Sequence, residues 1–257
     1  HHSGRTLAMT SFIVIPARLH STRLPEKLLL AETGKPLIQH TYESAQRATR
    51  PKGIIVAADH QSIAEAVQQF GGTVVMTDPE APSGTDRVAE VALQLSDADI
   101  IVNVQGDEPD ISAEAIDMVV ELLEQNADAV MSTLGTPIRC KTQLEDPACV
   151  KVVFDHQQRA MYFSRSVIPH ARNWDERLLE AEPAHFHQHI GLYAYRRDFL
   201  LSLTQLPQSE VEKLESLEQL RVLSHGYTIL VGIIQEPSIG IDTPEDYEAF
   251  VRMQRNR

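Results

Sequence analysis

Two adjacent carboxylates, Asp107 and Glu108, follow a short apolar run at residues 100–104. The β-branched run predicts a buried strand of a parallel sheet, and Gly106 permits a tight turn or a close backbone approach. In open α/β sheets, ligands bind at the carboxyl ends of the strands. Mg²⁺ commonly takes one or two carboxylates together with substrate phosphates. A magnesium site and a solvated turn are both compatible with this stretch.

A loop rich in cations follows the first predicted strand, at residues 11–16. It carries Arg18, Arg23 and Lys27, together with hydroxyls such as that of Ser21. The position is that of a phosphate-binding loop, but the sequence has neither a glycine-rich dinucleotide fingerprint nor a P-loop. Side-chain cations, helped by loop amides, would have to hold the anion. The clustering favours anion binding over a basic loop that only aids solubility.

Two further polar stretches precede predicted helices. Ser83 or Thr85 suits a helix N-cap, although the Ser83 backbone and the donors of Arg87 would equally suit a nucleobase. Thr243 is a natural N-cap of the last helix, with a proline directly after it. Capping does not account for Asp242, which stands just outside that helix.

Histidines at 185, 187 and 189 alternate along a predicted strand. This pattern resembles a zinc site at first sight, but no cysteine or helical ligand supports it. A single histidine that contacts a polar ligand is the preferred interpretation.

Composition restricts the class of protein. The 257 residues carry a formal net charge of −13, which disfavours a general nucleic-acid surface. No apolar run reaches the length of a membrane span, and no signal peptide is recognised. Cys140 and Cys149 lack metal or redox spacing, so we expect free thiols in a reducing cytoplasm. Residues 1–8 are interpreted as an affinity-tag remnant.

The order of predicted elements is β-α-β-α-β-α-β-α-β up to residue 133. It favours an α/β, Rossmann-like three-layer fold with a largely parallel (mixed) central sheet. We expect a single domain at 11–254, with an insertion-like segment at about 138–197 that forms an arm, a subdomain or a dimer surface. One helix is predicted at 209–224, with Leu214, Leu217, Leu220 and Leu223 on its apolar face.

Taken together, the motifs resemble the 3-deoxy-manno-octulosonate (Kdo) cytidylyltransferases, also called CMP-Kdo synthetases. They are Ile-Pro-Ala-Arg at 15–18, Ser-Thr-Arg-Leu-Pro at 21–25 with Lys27, Ser-Gly-Thr-Asp-Arg at 83–87, Val-Asn-Val-Gln-Gly-Asp-Glu-Pro at 102–109, Tyr-Phe-Ser-Arg at 162–165, His-Ile-Gly-Leu-Tyr at 189–193, Leu-Glu-Gln-Leu-Arg at 217–221 and Asp-Thr-Pro-Glu-Asp at 242–246. The resemblance spans residues 11–250. The family usually has glycine and proline on either side of the loop lysine, where this chain has Glu26 and Leu28.

This resemblance implies transfer of CMP from CTP to the anomeric hydroxyl of Kdo, with release of pyrophosphate. It implies that the nucleotide is bound by Arg18, Ser21, Arg23, Lys27, Ser83, Arg87 and Gln105. It implies that Asp107 and Asp242 share Mg²⁺ and, with Arg18 and Lys27, form the catalytic set. The sugar side would consist of Arg165, His189, Tyr193, Glu218 and Gln219.

The resemblance further implies a cytoplasmic homodimer that activates Kdo for lipopolysaccharide biosynthesis, with no nucleic-acid or membrane partner. Two alternatives stay open. The acceptor could be a related sugar acid, such as 8-amino-Kdo or sialate, or the chain could be a non-catalytic nucleotide-binding protein. The missing glycine fingerprint argues against an NAD-dependent oxidoreductase.

Overall fold

The computed structural model describes residues 9–257, so the segment interpreted as a tag remnant lies outside the described residues. The strands are β1 (Ser11–Ala17), β2 (Gly53–Ala58), β3 (Val74–Met76), β4 (Ile100–Asn103), β5 (Met131–Pro137), β6 (Lys151–Phe154), β7 (Ala160–Ser164), β8 (His187–Arg196) and β9 (Ile229–Ile233). The helices are α1 (Leu37–Gln46), α2 (Gln61–Gln69), α3 (Gly84–Gln94), α4 (Ala113–Gln125), α5 (Lys141–Glu145), α6 (Arg197–Leu203), α7 (Glu210–Glu215), α8 (Gln219–Ser224) and α9 (Pro244–Arg255).

The strands form one mixed sheet in the order β3-β2-β1-β4-β8-β5-β9. Pairs among β3, β2, β1 and β4 are parallel, as is the pair of β5 with β9. Strand β8 runs antiparallel between β4 and β5. The predicted fold class, a largely parallel α/β sheet covered on both faces, is confirmed.

Alternation along β1 explains the three layers. Ile13 and Ile15 face one hydrophobic core, and Val14 between them faces the other. A strand places successive side chains on opposite faces, so an apolar strand with both faces buried needs helices on each side. Strand β4 is buried in the same way, which makes the carboxyl end of the sheet a rigid platform for polar side chains.

The helix starts agree with the capping patterns in the sequence. Ser83 Oγ accepts a hydrogen bond from the Asp86 amide at 3.1 Å, and Ser112 Oγ accepts one from the Ala115 amide at 3.2 Å. Thr243 and Asp246 form a reciprocal capping box at the start of α9. Each side chain satisfies an amide that has no partner inside its own helix.

The predicted helix at 209–224 is wrong as one element. The structure has two short helices, α7 and α8, because Ser216 adopts the left-handed conformation with φ 53°. Leu214, predicted on the apolar face, is 83% exposed, whereas Leu217 and Leu220 are buried. The break turns the start of α8 towards the sheet.

The segment at 138–197 contributes an antiparallel hairpin, β6–β7, and the central strand β8. It also contains all of a third, small hydrophobic cluster, made of Ile138, Leu144, Cys149, Leu179 and Phe186. That the whole chain is one domain with an insertion here stays a prediction. Among the described residues, no helix is long and apolar enough to cross a membrane.

Candidate active site

The loop between β4 and α4 brings Asp107 to the carboxyl end of the sheet. An added Cβ on Gly106 would lie 3.3 Å from Ile38 Cδ1 and 3.4 Å from the Pro16 oxygen, so the predicted close approach is present. Thr41 of α1 donates to the Gly106 carbonyl at 2.7 Å. Buried hydrogen bonds to the main chain hold this loop rigidly, which suits a site for a ligand.

Three separate parts of the chain meet at the ammonium group of Lys27. Its Nζ atom lies 2.8 Å from Asp107 Oδ2, 3.0 Å from the Ile241 carbonyl oxygen and 3.9 Å from Asp242 Oδ1. A main-chain hydrogen bond from Ile241 to Asp107, at 2.8 Å, joins the same two segments. The two carboxylates predicted to act together are therefore gathered around one cation.

Arg23 extends this cluster at the surface. One of its terminal nitrogens lies 2.5 Å from Asp242 Oδ2, but the two side chains are 68% and 56% exposed. Exposed ion pairs contribute little to stability. Arg23 is thus free to exchange this partner for a ligand anion at small cost.

A cavity of about 270 Å³ lies beside this cluster. Its lining includes five of the predicted residues: Arg18, Ser21, Lys27, Gln105 and Asp107. Gly84, at the first turn of α3, lines the same cavity. Side-chain cations and a helix N-terminus around one space favour a bound anion.

Ser21 has a structural task within the loop. Its Oγ donates to the Leu24 carbonyl at 2.5 Å and accepts from the Lys27 amide at 3.3 Å. These bonds shape the turn that carries Lys27. Glu26, directly before it, is exposed and adopts the left-handed conformation with φ 50°.

Arg87 is turned away from the cavity. It is 1% exposed, and its guanidinium donates to Thr77 Oγ1 at 2.6 Å and to the Asp78 carbonyl at 2.9 Å. Its Nε has no hydrogen-bond partner among the described residues. In this arrangement Arg87 anchors the turn after β3 to α3, and a nucleobase contact stays a prediction.

The sugar-side residues gather around β8 and the start of α8. Gln219 Nε2 lies 3.4 Å from His189 Nδ1, and the rings of His189 and Tyr193 are 5.5 Å apart. Burial lowers the pKa of His189 to about 3, so the imidazole is neutral at physiological pH. Burial also raises the pKa of Tyr193, helped by the carboxylates of Glu218 and Glu108. Four predicted residues thus share one buried, polar region.

Thr85 connects this region to the first turn of α3, which borders the cavity near Lys27. Its hydroxyl, in the first turn of α3, donates to Glu218 Oε2 at 3.0 Å. Burial raises the pKa of Glu218, an effect that this hydrogen bond opposes. The sequence marked Thr85 only as a possible helix cap, a task that Ser83 performs instead.

Arg165 is engaged with the main chain. Its guanidinium donates to the carbonyls of Glu215 at 2.6 Å, Pro147 at 3.0 Å and Ser216 at 3.2 Å. The Arg165 carbonyl in turn accepts from the fully buried Lys151 at 2.6 Å. Arg165 therefore fixes the break before α8, and a contact with a sugar carboxylate stays a prediction.

Glu108 is a further ionisable group, which would be exposed if this stretch were only a solvated turn. Ser238 donates to its carboxylate at 3.1 Å, and burial raises the pKa of Glu108 to about 7. The carboxylates of Asp107 and Glu108 thus differ in environment, because the first contacts Lys27 and the second is desolvated by burial. No sequence signal distinguished them.

The pair Asp107 and Asp242 fits Mg²⁺ by the chemistry of its donors. In the described part of the chain, no group of three or more His, Cys, Asp or Glu side chains could hold a metal ion. Two carboxylates beside an anion pocket are the protein ligands that Mg²⁺ takes when phosphates and water supply the rest.

A larger cavity, about 690 Å³, lies at the opposite end of the sheet, near the starts of β1, β2 and β3. Its lining includes Phe12, Gly53 and Thr73 and contains none of the predicted site residues. Size therefore does not identify the site here, whereas convergent polar groups do.

Comparisons with known proteins identify the family of this chain. A cytidylyltransferase family model matches residues 12–229. A 3-deoxy-manno-octulosonate cytidylyltransferase of Rhodopirellula baltica is 47% identical over 94% of this chain and 97% of its own length. An 8-amino-3,8-dideoxy-manno-octulosonate cytidylyltransferase of Shewanella woodyi is 46% identical over 93% and 96%.

A solved CMP:2-keto-3-deoxy-manno-octonic acid synthetase complexed with CTP superposes with a TM-score of 0.89. It is 40% identical and covers 96% of this chain and 99% of its own. A 4-diphosphocytidyl-2C-methyl-D-erythritol synthase from Anaerococcus prevotii, at 13% identity and a TM-score of 0.61, shares the fold alone. The chain is a nucleotidyltransferase of the cytidylyltransferase family and belongs to the branch of the 3-deoxy-manno-octulosonate cytidylyltransferases.

Proposed function

We propose that this chain transfers CMP from CTP to the anomeric hydroxyl of Kdo, with Mg²⁺, and releases pyrophosphate. The observation that carries this proposal is the meeting of Lys27, Asp107 and Asp242 beside a cavity lined by Arg18 and Gln105. The similarity to a Kdo cytidylyltransferase supports the choice of substrates.

The nucleotide side neutralises charge and positions the triphosphate. Arg18, Arg23 and Lys27 are the cations at the cavity and its edge, and Lys27 exchanges Asp107 for phosphate oxygens when CTP enters. Gln105, which carries both a donor and an acceptor, suits the pairing edge of cytosine, and the Ser83 backbone is the proposed further partner of the base. Phosphoryl and nucleotidyl transfers depend mainly on such positioning and on charge stabilisation.

Asp107 and Asp242 would hold the Mg²⁺. When bound, this ion would stabilise charge on the phosphates and lower the pKa of the attacking hydroxyl. The anomeric hydroxyl releases its proton to solvent, its oxygen forms the new bond to the α-phosphorus, and the bond from that phosphorus to pyrophosphate breaks. A triphosphate and a sugar carboxylate repel each other, so the surrounding cations are needed to bring them together.

The sugar side supplies hydrogen bonds from His189, Tyr193, Glu218 and Gln219, and Arg165 is the proposed partner of the carboxylate. For Arg165 to act so, it must give up carbonyl contacts at 3.0 and 3.2 Å. Relatives of nearly equal identity carry the names of Kdo and of 8-amino-Kdo enzymes. The choice of Kdo over 8-amino-Kdo as acceptor is therefore a more specific proposal than the reaction itself.

The biological setting belongs to the same proposal. We infer a cytoplasmic homodimer, joined through the segment at 138–197, that activates Kdo for lipopolysaccharide biosynthesis.

The decisive experiment measures pyrophosphate release from CTP and Mg²⁺ with Kdo, 8-amino-Kdo, sialate or no sugar. We expect release with Kdo, and none from the Asp107→Ala variant, which serves as the matched control. Release only with another sugar acid would keep the chemistry and reassign the acceptor. Binding of CTP without release from any acceptor would favour the non-catalytic alternative.

A further inference from the structure

Thr133 lies at an irregularity between β5 and β8. Ser132 of β5 is opposite Ala194, and Leu134 is opposite Ile190, so three residues of β8 face the single residue Thr133. Such bulges re-aim side chains next to functional sites. Here the bulge separates His189 from Tyr193, two of the sugar-side residues.

The Thr133 side chain fills the space that the bulge creates. The residue is fully buried, and its Oγ1 atom lies 3.0 Å from the Ile190 carbonyl oxygen and 2.8 Å from the Leu192 carbonyl oxygen. The third neighbour of Oγ1 is His189 Nε2, at 3.0 Å. A single hydroxyl thus meets two main-chain oxygens and one ring nitrogen.

The two carbonyls decide the direction of these hydrogen bonds. A carbonyl oxygen only accepts, so the hydroxyl hydrogen of Thr133 must point to one of them. If it pointed to His189 instead, the lone pairs of Oγ1 would face two acceptors at hydrogen-bond distance. Oγ1 is therefore the acceptor towards His189, and Nε2 carries the ring proton.

The consequence reaches Gln219. Burial keeps the His189 imidazole neutral, so protonation at Nε2 leaves a lone pair on Nδ1. Gln219 Nε2 lies 3.4 Å from that nitrogen and donates to it. Amide nitrogen and oxygen are assigned from such networks. The fixed carbonyls thus determine that the Gln219 oxygen is turned away from the ring, as an acceptor for another group.

We propose that Thr133 is a positioning residue that fixes His189 as the Nε2-protonated tautomer and thereby sets the donor and acceptor pattern that Gln219 offers to the sugar acid. The role of His189 and Gln219 towards the sugar acid rests on the proposed function. The tautomer of His189 does not depend on it. A hydroxyl of the sugar acid would donate to the Gln219 oxygen. Thr133 itself touches no substrate.

The tautomer is measured directly by two-bond ¹H–¹⁵N correlation spectra of the ¹⁵N-labelled full chain at neutral pH. His189 is assigned by the signal that disappears in His189→Gln. We expect a protonated Nε2 and an unprotonated Nδ1 in the wild type. A protonated Nδ1 would overturn the proposal.

Variants then test positioning. Thr133→Val keeps the shape and loses the hydroxyl, so we expect a mixture of tautomers and a rise of about tenfold in the KM for the sugar acid, with the KM for CTP within twofold. Thr133→Ser should restore both readouts. The control is Thr136→Val, at a buried threonine of the same strand whose side chain makes no hydrogen bond with the described residues.

The outcomes separate the two proposals. An unchanged KM for the sugar acid in a folded Thr133→Val variant with altered tautomer would overturn the positioning role. Failure of Thr133→Ser to restore the tautomer would overturn the hydrogen-bond direction. If the wild type showed the expected tautomer but released pyrophosphate with none of the sugar acids, the proposed function would be rejected and the tautomer assignment would stand.

Discussion

The Nζ atom of Lys27 lies 2.8 Å from Asp107 Oδ2 and 3.0 Å from the main-chain oxygen of Ile241. One loop cation therefore ties the carboxyl end of β4 to the segment that carries Asp242. The side chain of Lys27 is only 16% exposed, and the Asp107 carboxylate compensates the charge that water cannot fully solvate. A triphosphate would offer that ammonium a stronger set of acceptors.

Lys27→Ala should reduce kcat/KM for CTP by roughly 10- to 100-fold, the value of one charge-assisted hydrogen bond. The KM for the sugar acid should change little. Initial rates with each substrate varied against saturating amounts of the other measure both. Lys52→Ala, at a lysine 67% exposed and remote from the site, is the control. A rise in the sugar KM alone would reject the triphosphate assignment.

Asp107→Ala and Asp242→Ala should each lower turnover by at least about a thousandfold, because each removes one of two carboxylates for Mg²⁺. We expect both variants to remain folded, since Asp242 is 56% exposed and neither lies in a hydrophobic core. Turnover over a Mg²⁺ titration and thermal unfolding provide the two readouts. Asp97→Ala, at an exposed aspartate, should behave as the wild type. Full turnover in either variant would end the shared-metal hypothesis.

Glu26→Gly should stabilise the loop and favour CTP. A non-glycine residue in the left-handed conformation costs about 1 kcal/mol, although the greater freedom of glycine in the unfolded chain offsets part of the gain. Loss of a negative charge beside Lys27 should also lower the KM for CTP by about two- to threefold. Urea unfolding and steady-state rates test these effects.

Gln158→Gly is the matched control for that change. Gln158 has φ 64° in the turn between β6 and β7, far from the site in the fold. It should gain a similar stability and leave the KM for CTP unchanged. Equal KM values in both variants would show that the charge of Glu26 does not reach the nucleotide.

Thr85→Val should raise the KM for the sugar acid about three- to tenfold, because the partly buried carboxylate of Glu218 loses a donor at 3.0 Å. The KM for CTP should stay within twofold, and Thr85→Ser should restore the wild-type value. Steady-state kinetics of the three proteins suffices. A change confined to CTP would mean that Thr85 serves the nucleotide instead.

His189 should make stability depend on pH. Its pKa is about 3 in the folded chain against an ordinary value of 6.5, so the unfolded chain binds the proton first as pH falls. The stabilisation is complete above pH 6.5 and is lost below it, by about 1.4 kcal/mol per pH unit, until pH 3.

Urea unfolding at pH 7.5 and 5.5 measures this effect. The wild type should lose about 1.4 kcal/mol more than His189→Gln between those two values. His156→Gln, at an exposed histidine, should follow the wild type. Equal losses in the wild type and His189→Gln would mean that His189 is protonated in the folded chain as readily as in the unfolded one.

Local patterns were sufficient for most elements. The apolar runs of β1 and β4, the N-caps Ser112 and Thr243, and the need for Gly106 all follow from neighbours in sequence. Such features depend on backbone geometry and on the alternation of buried side chains, which a sequence records directly. The prediction of one helix at 209–224 failed for the same reason: leucines at every third position, from Leu214 to Leu223, suggested a continuous apolar face and gave no sign of the left-handed Ser216.

The amino-acid sequence by itself determined the fold class, the family and the kinds of side chain, cations and carboxylates, at the carboxyl end of the sheet. Only the tertiary structure decided which groups form hydrogen bonds with one another, as Lys27 does with Asp107 and Ile241, and Thr85 with Glu218. It also separated Arg87 and Arg165, which donate to main-chain carbonyls, from the groups that line the cavity. The physical reason is distance: hydrogen bonds act over about 3 Å, and their partners here lie up to 219 residues apart in sequence.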